Sequence, residues 1–210
     1  MPGALRRQKI VAFISKMTFV LARVKVTVRG IDNLPTDSCV VVANHASYVD
    51  GILLNAYLPA RFGFVIKGEM RDIPIVHFLL RRSGSKFVER KEAAGSSRDA
   101  RQLVKAAQGG ESLGFFPEGT FILQSGISRF RPGAFVAAIK GEMPVVPIAI
   151  SGTRAMLPSG RLLPRNTDLM IDILPSIAPG DEEFKSSRRL AEAARQRVLN
   201  ALDEPDLLDQ

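Results

Sequence analysis

The sequence predicts a single α/β domain: a mixed, mostly parallel central sheet flanked by helices, preceded by an N-terminal amphipathic helix. Three observations lead there. Short apolar runs of strand type alternate with segments of helical spacing, no internal repeat interrupts them, and 210 residues with 46% apolar and 24% charged content suffice for one core. Such a composition argues against collagen-like, disordered and polytopic membrane chains. The expected division is residues 1–22 for the helix and 23–210 for the domain.

In the first segment Ile10, Phe13, Ile14, Met17, Val20, Leu21 and Val24 recur at helical spacing, while Lys9, Lys16 and Arg23 share another face. The apolar stretch is interrupted by Lys16 and falls short of the roughly 20 residues of a spanning helix. It also lacks the small-residue cleavage site of a signal peptide. Two readings fit: a basic helix lying on a membrane surface, or a first helix packed on the domain with a solvated basic side.

Next, Val24, Val26 and Val28 alternate with Lys25 and Thr27 as in a half-buried strand, and Gly30 ends it. Cys39–Ala43 is a buried-strand run without polar alternation. Further strands are expected at Phe62–Lys67, Ser85–Glu89, Ser112–Phe116, Pro144–Ile150 and Asp168–Leu174. Helices are expected at Tyr48–Leu58, Ile73–Arg82, Ser97–Gln108, Pro132–Lys140 and Ser186–Leu202. Ser151–Thr167, rich in Gly, Pro and Arg, is the longest irregular stretch and a candidate loop over a site.

Charge narrows the partners. The chain holds 29 basic and 21 acidic residues, a net charge of +8, which favours an anionic partner. Seven of the basic residues lie between Met1 and Ile31, where there is no acid, so the excess is N-terminal. A nucleic-acid partner is not favoured, because only 7% of residues are aromatic and no base-stacking motif is present. The single cysteine, Cys39, excludes a disulfide scaffold and fits a reducing cytoplasm. With one Cys and two His, no zinc site is expected, and phosphate-binding glycine loops are absent. His77, inside an expected helix, reads as a packing residue.

Ligands of α/β sheets gather at strand exits. After Cys39–Ala43 come Asn44 and His45, with Asp50 five residues beyond His45. On one straight helix those two side chains would point about 140° apart, so they meet only across a turn. If they meet, the carboxylate holds the Nδ1 proton and Nε2 becomes a general base; otherwise the pair is a helix cap and a bystander. The second exit, Leu113–Thr120, runs into Pro117, Glu118, Gly119 and Thr120, which alone reads as an ordinary turn.

Together the exits are specific. Asn44 to Asp50 resembles the N-H-x-x-x-x-D block, and Phe116-Pro117-Glu118-Gly119-Thr120 the F-P-E-G-T block, of the glycerolipid acyltransferases that include 1-acylglycerol-3-phosphate acyltransferases. Lys67-Gly68-Glu69-Met70 with Phe87-Val88-Glu89-Arg90 is similar to the family's second block, and Val146–Ile150 to its fourth. The resemblance spans Val24 to Leu174.

The resemblance implies acyl transfer from a thioester, either acyl-CoA or acyl carrier protein, to the hydroxyl of a lysophospholipid in phospholipid biosynthesis. His45 and Asp50 would be catalytic; Asn44, Lys67, Arg90, Phe116, Pro117, Glu118, Gly119, Thr120 and Arg131 would bind substrate. No cofactor and no metal are implied. Glu118 would organise the acceptor pocket through backbone or Arg90. The family's arginine after F-P-E-G-T is Phe121 here, so Arg129 and Arg131 compensate or the acceptor headgroup differs. Ile52, Leu53, Leu79 and Leu80 fit an acyl groove and core packing equally. An acyl-thioester hydrolase is the alternative reaction. The expected location is the cytoplasmic face of a membrane, as a peripheral or monotopic protein.

Overall fold

Cys39–Ala43 has no polar side chain to turn outward, so it must lie in a sheet covered on both faces, and that requirement sets the layering. The computed structural model describes residues 2–67, 86–88, 93–120, 123–158, 160–161 and 163–208. In chain order these form α1 (Pro2–Leu21), β1 (Val26–Arg29), β2 (Val40–Ala43), α2 (Val49–Tyr57), β3 (Gly63–Lys67), β4 (Lys86–Val88) and α3 (Ala93–Gln108). There follow β5 (Leu113–Phe115), α4 (Gly133–Lys140), β6 (Val145–Ser151), the one-turn α5 (Thr153–Met156), β7 (Leu169–Ile173) and α6 (Ser187–Asn200). Each of the seven expected strands is found. The helix expected at Ile73–Arg82, with His77, Leu79 and Leu80, lies outside the described residues.

The sheet order is β1-β7-β6-β2-β5-β3-β4. Neighbouring pairs are parallel except β6 with β7, which makes the sheet mixed and mostly parallel. Side chains of β2 alternate between two cores. Val40 and Val42 join Leu103, Phe135, Leu190 and Val198 of α3, α4 and α6 on one face. Cys39, Val41 and Ala43 join Phe19, Leu53, Leu54 and Met156 of α1, α2 and α5 on the other. The helices that follow β2 and β5 thus cover opposite faces of adjacent parallel strands, which makes the strands' C-terminal ends a topological switch point.

The first helix differs from the single apolar face expected. Val11, Ala12 and buried Phe19 turn toward the domain, where the Phe19 ring centroid lies 6.1 Å from that of Tyr57 on α2 and the Lys16 ammonium 5.5 Å from the same ring. Of the stripe expected from sequence, Ile10, Phe13, Ile14, Val20 and Leu21 point outward, with Phe13 65% exposed, while Met17 is half-buried and Val24 packs against the core. Both stripes have helical spacing, so the outward one alone is not the helix's whole apolar surface. Arg6, Arg7, Lys9, Lys16 and Arg23 are exposed beside it. Among the described residues no helix is long and apolar enough to cross a membrane.

Gly114 lies opposite Phe64 in the β3–β5 ladder, and a Cβ there would come within 2.6 Å of two Phe64 ring carbons. Because the Phe64 ring is buried, Gly114→Ala is expected to destabilise the fold by about 1–3 kcal/mol. The midpoint of urea unfolding measures this.

Candidate active site

Parallel pairing of β2 with β5 (Val42 against Phe115) and of β2 with β6 (Ala43 against Ile148) fixes where the two exits meet. One step past β2, the Asn44 side chain completes the ladder. Its Nδ2 donates to the Ile150 carbonyl at 2.9 Å and its Oδ1 accepts the Ile150 N–H at 2.7 Å. Asn44 is buried and both ends of its amide serve the β2–β6 join.

One residue further, the chain turns. His45 leaves the strand, Ala46–Tyr48 bend, and α2 starts at Val49, with the Asp50 N–H bonded to the Ser47 carbonyl at 3.3 Å. The turn that the five-residue spacing requires is therefore present, and it folds the first turn of α2 back on the histidine. His45 Nδ1 lies 2.8 Å from Asp50 Oδ2. The same oxygen accepts the N–H groups of Ala46 at 2.7 Å and Ser47 at 2.8 Å. Asp50 is fully buried, and its Oδ1 has no hydrogen-bond partner among the described residues. All three donors converge on the oxygen that holds the imidazole, which selects the tautomer with its proton on Nδ1.

From the other exit, Phe116 stacks on the His45 ring with centroids 4.3 Å apart and planes 22° apart. Glu118 Oε1 accepts the His45 backbone N–H at 2.8 Å, while Oε2 accepts the Ser128 N–H at 3.0 Å and hydroxyl at 2.8 Å. Gly119 has φ 85°, a left-handed value that closes the turn onto the Phe116 carbonyl at 3.0 Å and that a Cβ would strain. Pro117 is buried, and its carbonyl accepts the Arg131 N–H at 2.9 Å. Thr120, Arg129 and Arg131 are exposed at the rim.

The structure thus brings Asn44, His45, Asp50, Phe116, Pro117, Glu118, Gly119 and the Arg131 backbone into one constellation. Lys67 ends β3; Arg90 and Phe121 lie outside the described residues. Ser128 and the hydroxyl contact of Ser47 escaped the sequence reading. Ser47 is buried and its hydroxyl donates to the Leu157 carbonyl at 2.7 Å, which ties the first exit to the loop after α5. A serine one residue before the Arg129–Arg131 cluster carries no signal of its own; only the short return from Glu118 hints at it. Of the acyl-groove candidates, Leu53 is core and Ile52 is exposed. Cys39 is fully buried and its thiol is pushed up to about 11 by that burial, so it is no nucleophile near neutral pH.

Burial also raises the Glu118 carboxyl above its ordinary 4.5, against the lowering effect of the His45 and Ser128 hydrogen bonds. Between the ordinary and the raised value the native state holds more proton than the unfolded chain, so stability falls as pH rises through that window. Glu118→Gln is expected to abolish this slope. The difference in melting temperature between wild type and variant, followed upward from pH 4.5, measures it, and a flat difference curve would refute the assignment.

A histidine held by a buried aspartate at one strand exit, with a glutamate turn closing on its backbone from the next, agrees with what comparison with known proteins finds. The family model described as Acyltransferase matches residues 25–151. A 1-acyl-sn-glycerol-3-phosphate acyltransferase of Chlamydomonas reinhardtii is 32% identical over 88% of this chain and 54% of its own length. A chloroplastic enzyme of the same name from Brassica napus is 30% identical over 73% of this chain and 46% of its own. The chain spans about half the length of these curated relatives. The crystal structure of the 1-acyl-sn-glycerophosphate acyltransferase PlsC from Thermotoga maritima superposes with a TM-score of 0.78 at 26% identity, covering 92% of this chain and 78% of that one. Sequence, architecture and site agree, and the chain belongs to the acyltransferase family.

Proposed function

We propose that this chain transfers a fatty acyl group from an acyl thioester, acyl-CoA or acyl carrier protein, to the free hydroxyl of 1-acylglycerol-3-phosphate, giving phosphatidic acid. The observation that carries the reading is the 2.8 Å contact between His45 Nδ1 and the buried Asp50 carboxylate. With its proton fixed on Nδ1, the ring takes the acceptor's hydroxyl proton on Nε2 as the oxygen attacks the thioester carbonyl. Asp50 stabilises the imidazolium that forms, and general-base help of this kind is worth about 10²- to 10⁴-fold. Collapse of the tetrahedral intermediate breaks the carbon–sulfur bond, and the proton passes from the imidazolium to the departing thiolate. No acyl-enzyme is required, because the thioester is already activated, and no metal or further cofactor enters the scheme.

Phe116 limits the tilt of the imidazole by stacking on it, and Glu118 fixes the backbone from which the imidazole projects. Asn44, one residue earlier, positions the exit by joining it to β6. For the acceptor phosphate, Arg90 and Lys67 supply cations by their place in the second block, and Arg129 and Arg131 by their exposure next to the Pro117 turn. Pro117, Gly119 and Thr120 form the pocket wall.

The protein acts at a membrane surface on the same reading. The outward stripe of α1, rimmed by Arg6, Arg7, Lys9, Lys16 and Arg23, fits the anionic cytoplasmic leaflet of a bilayer, where each basic residue adds about 1 kcal/mol. This attachment is peripheral or monotopic.

His45→Ala is expected to abolish acyl transfer and Asp50→Asn to lower kcat by about 10²-fold or more, measured as thiol release that depends on added lysophospholipid. Full turnover in both variants would overturn the mechanism. A panel of lysophospholipids with one acyl-CoA tests the acceptor: preference for lysophosphatidate supports the reading, preference for lysophosphatidylcholine reassigns the headgroup, and thiol release without any acceptor indicates a hydrolase. For the membrane, Phe13→Asp with Ile14→Asp is expected to weaken sedimentation with phosphatidylglycerol vesicles by about 10-fold. Turnover on detergent-dispersed substrate should stay near wild type.

A further inference from the structure

Arg195 is a fully buried charge, 1% exposed, on a helix face otherwise made of Leu190, Ala191, Ala194 and Val198. A hydrophobic residue there would complete the apolar stripe, and a buried ion pair is often replaceable by apolar residues without loss of stability. What the guanidinium supplies is a set of fixed donors. Nε donates to the Ser128 carbonyl at 3.1 Å and Nη2 to the Ile127 carbonyl at 3.0 Å. Its outer edge meets Asp206, with Nη1 3.1 Å from Oδ2 and Nη2 bonded to Oδ1.

The far end of this contact is equally built. Ile127 pairs with the C-terminal segment, its N–H on the Pro205 carbonyl at 3.0 Å and its carbonyl on the Leu207 N–H at 3.2 Å. Next to it the Gly126 N–H is held by Glu204 Oε2 at 2.7 Å, and Glu204 pairs with Arg154 at 3.2 Å. Residues 126–128 are thus suspended from 204–207, and Ser128 presents its N–H and hydroxyl to the carboxylate that holds the His45 backbone.

We infer that Arg195 and Asp206 are positioning residues for the dyad: they fix the Ile127 and Ser128 carbonyls, so that Ser128 fixes Glu118 and Glu118 fixes His45. Neither touches substrate. The chain of contacts runs from the C-terminal segment through α6 and the loop after the glutamate turn to the main chain of the general base. Its effect falls on the chemical step, because a base displaced by a fraction of an ångström loses alignment with the hydroxyl while the binding surfaces stay in place. The inference rests on the acyl-transfer reading above.

The experiment compares wild type with Arg195→Met/Asp206→Leu, Arg195→Lys, Ser128→Ala and the triple variant that adds Ser128→Ala to the apolar pair. The apolar pair is expected to fold with a lower melting temperature, because the Ile127 and Ser128 carbonyls lose their Arg195 donors, and to keep its KM for acyl-CoA and lysophosphatidate, while kcat, measured well below that temperature, falls by about 10- to 100-fold. Ser128→Ala is expected to lower kcat too, and the triple variant to fall no further than the weaker of its parents, since all act through one contact chain. Arg195→Lys, which keeps the charge but not the fork, is expected to regain only part of kcat; it takes the place of the apolar pair should that pair fail to fold. Wild-type kcat in a folded Arg195 variant, losses that multiply in the triple variant, or losses that merely follow melting temperature would overturn the proposal. His45→Ala in the same assay separates the two readings: if it stays active the acyl-transfer mechanism fails, and if it is dead while the Arg195 variants run at wild-type rate only the positioning role fails.

Discussion

Two carboxylates converge on one histidine, and the rest of the site follows from that. Asp50 holds the ring through Nδ1 and Glu118 holds the main chain through the N–H. The first contact fixes the tautomer and the second fixes the point from which the ring projects. The second contact needs β2 and β5 to be parallel neighbours in register, because that places His45, two residues past β2, beside Glu118, three residues past β5. The register in turn depends on apolar side chains that alternate between two cores, so the hydrophobic pattern of a four-residue strand sets the geometry of the contact between His45 and Glu118.

Burial makes both contacts consequential. Asp50 is buried in the first turn of α2, and its Oδ2 takes three hydrogen-bond partners. In such surroundings hydrogen bonds are stronger than in water and misalignment is more damaging. Glu118 shows the opposing effects in one group, since desolvation favours its neutral form while three donors favour its charge. Cys39 has desolvation without comparable support, and its thiol stays protonated.

Much of this was legible in the sequence, for identifiable reasons. Apolar runs, alternating in the first strand and continuous in others, and turn residues marked the seven strands, and His45 with Asp50 stood at a strand exit with a turn-compatible spacing. Strand order was not legible, because it is set by which helices cover which face. Nor was the use of Asn44: an asparagine beside a candidate catalytic histidine reads as a substrate contact, whereas its amide joins two strands through partners 106 residues away. Arg195 left a trace, a charge on an apolar helical stripe, but nothing local connects it to Ser128, 67 residues earlier. The outward stripe of α1 was visible and its inward seam was not, because both obey the same helical spacing.

That inward seam bears on how the protein is handled. Phe19 is part of the core beneath α2, against Tyr57 and the layer containing Leu53 and Leu54. A truncated version begun at β1 to rid the chain of its greasy exterior would strip a lid from the helix carrying Asp50. The first helix is a keystone of the domain, and the His45–Asp50 site is not separable from it by a clean cut.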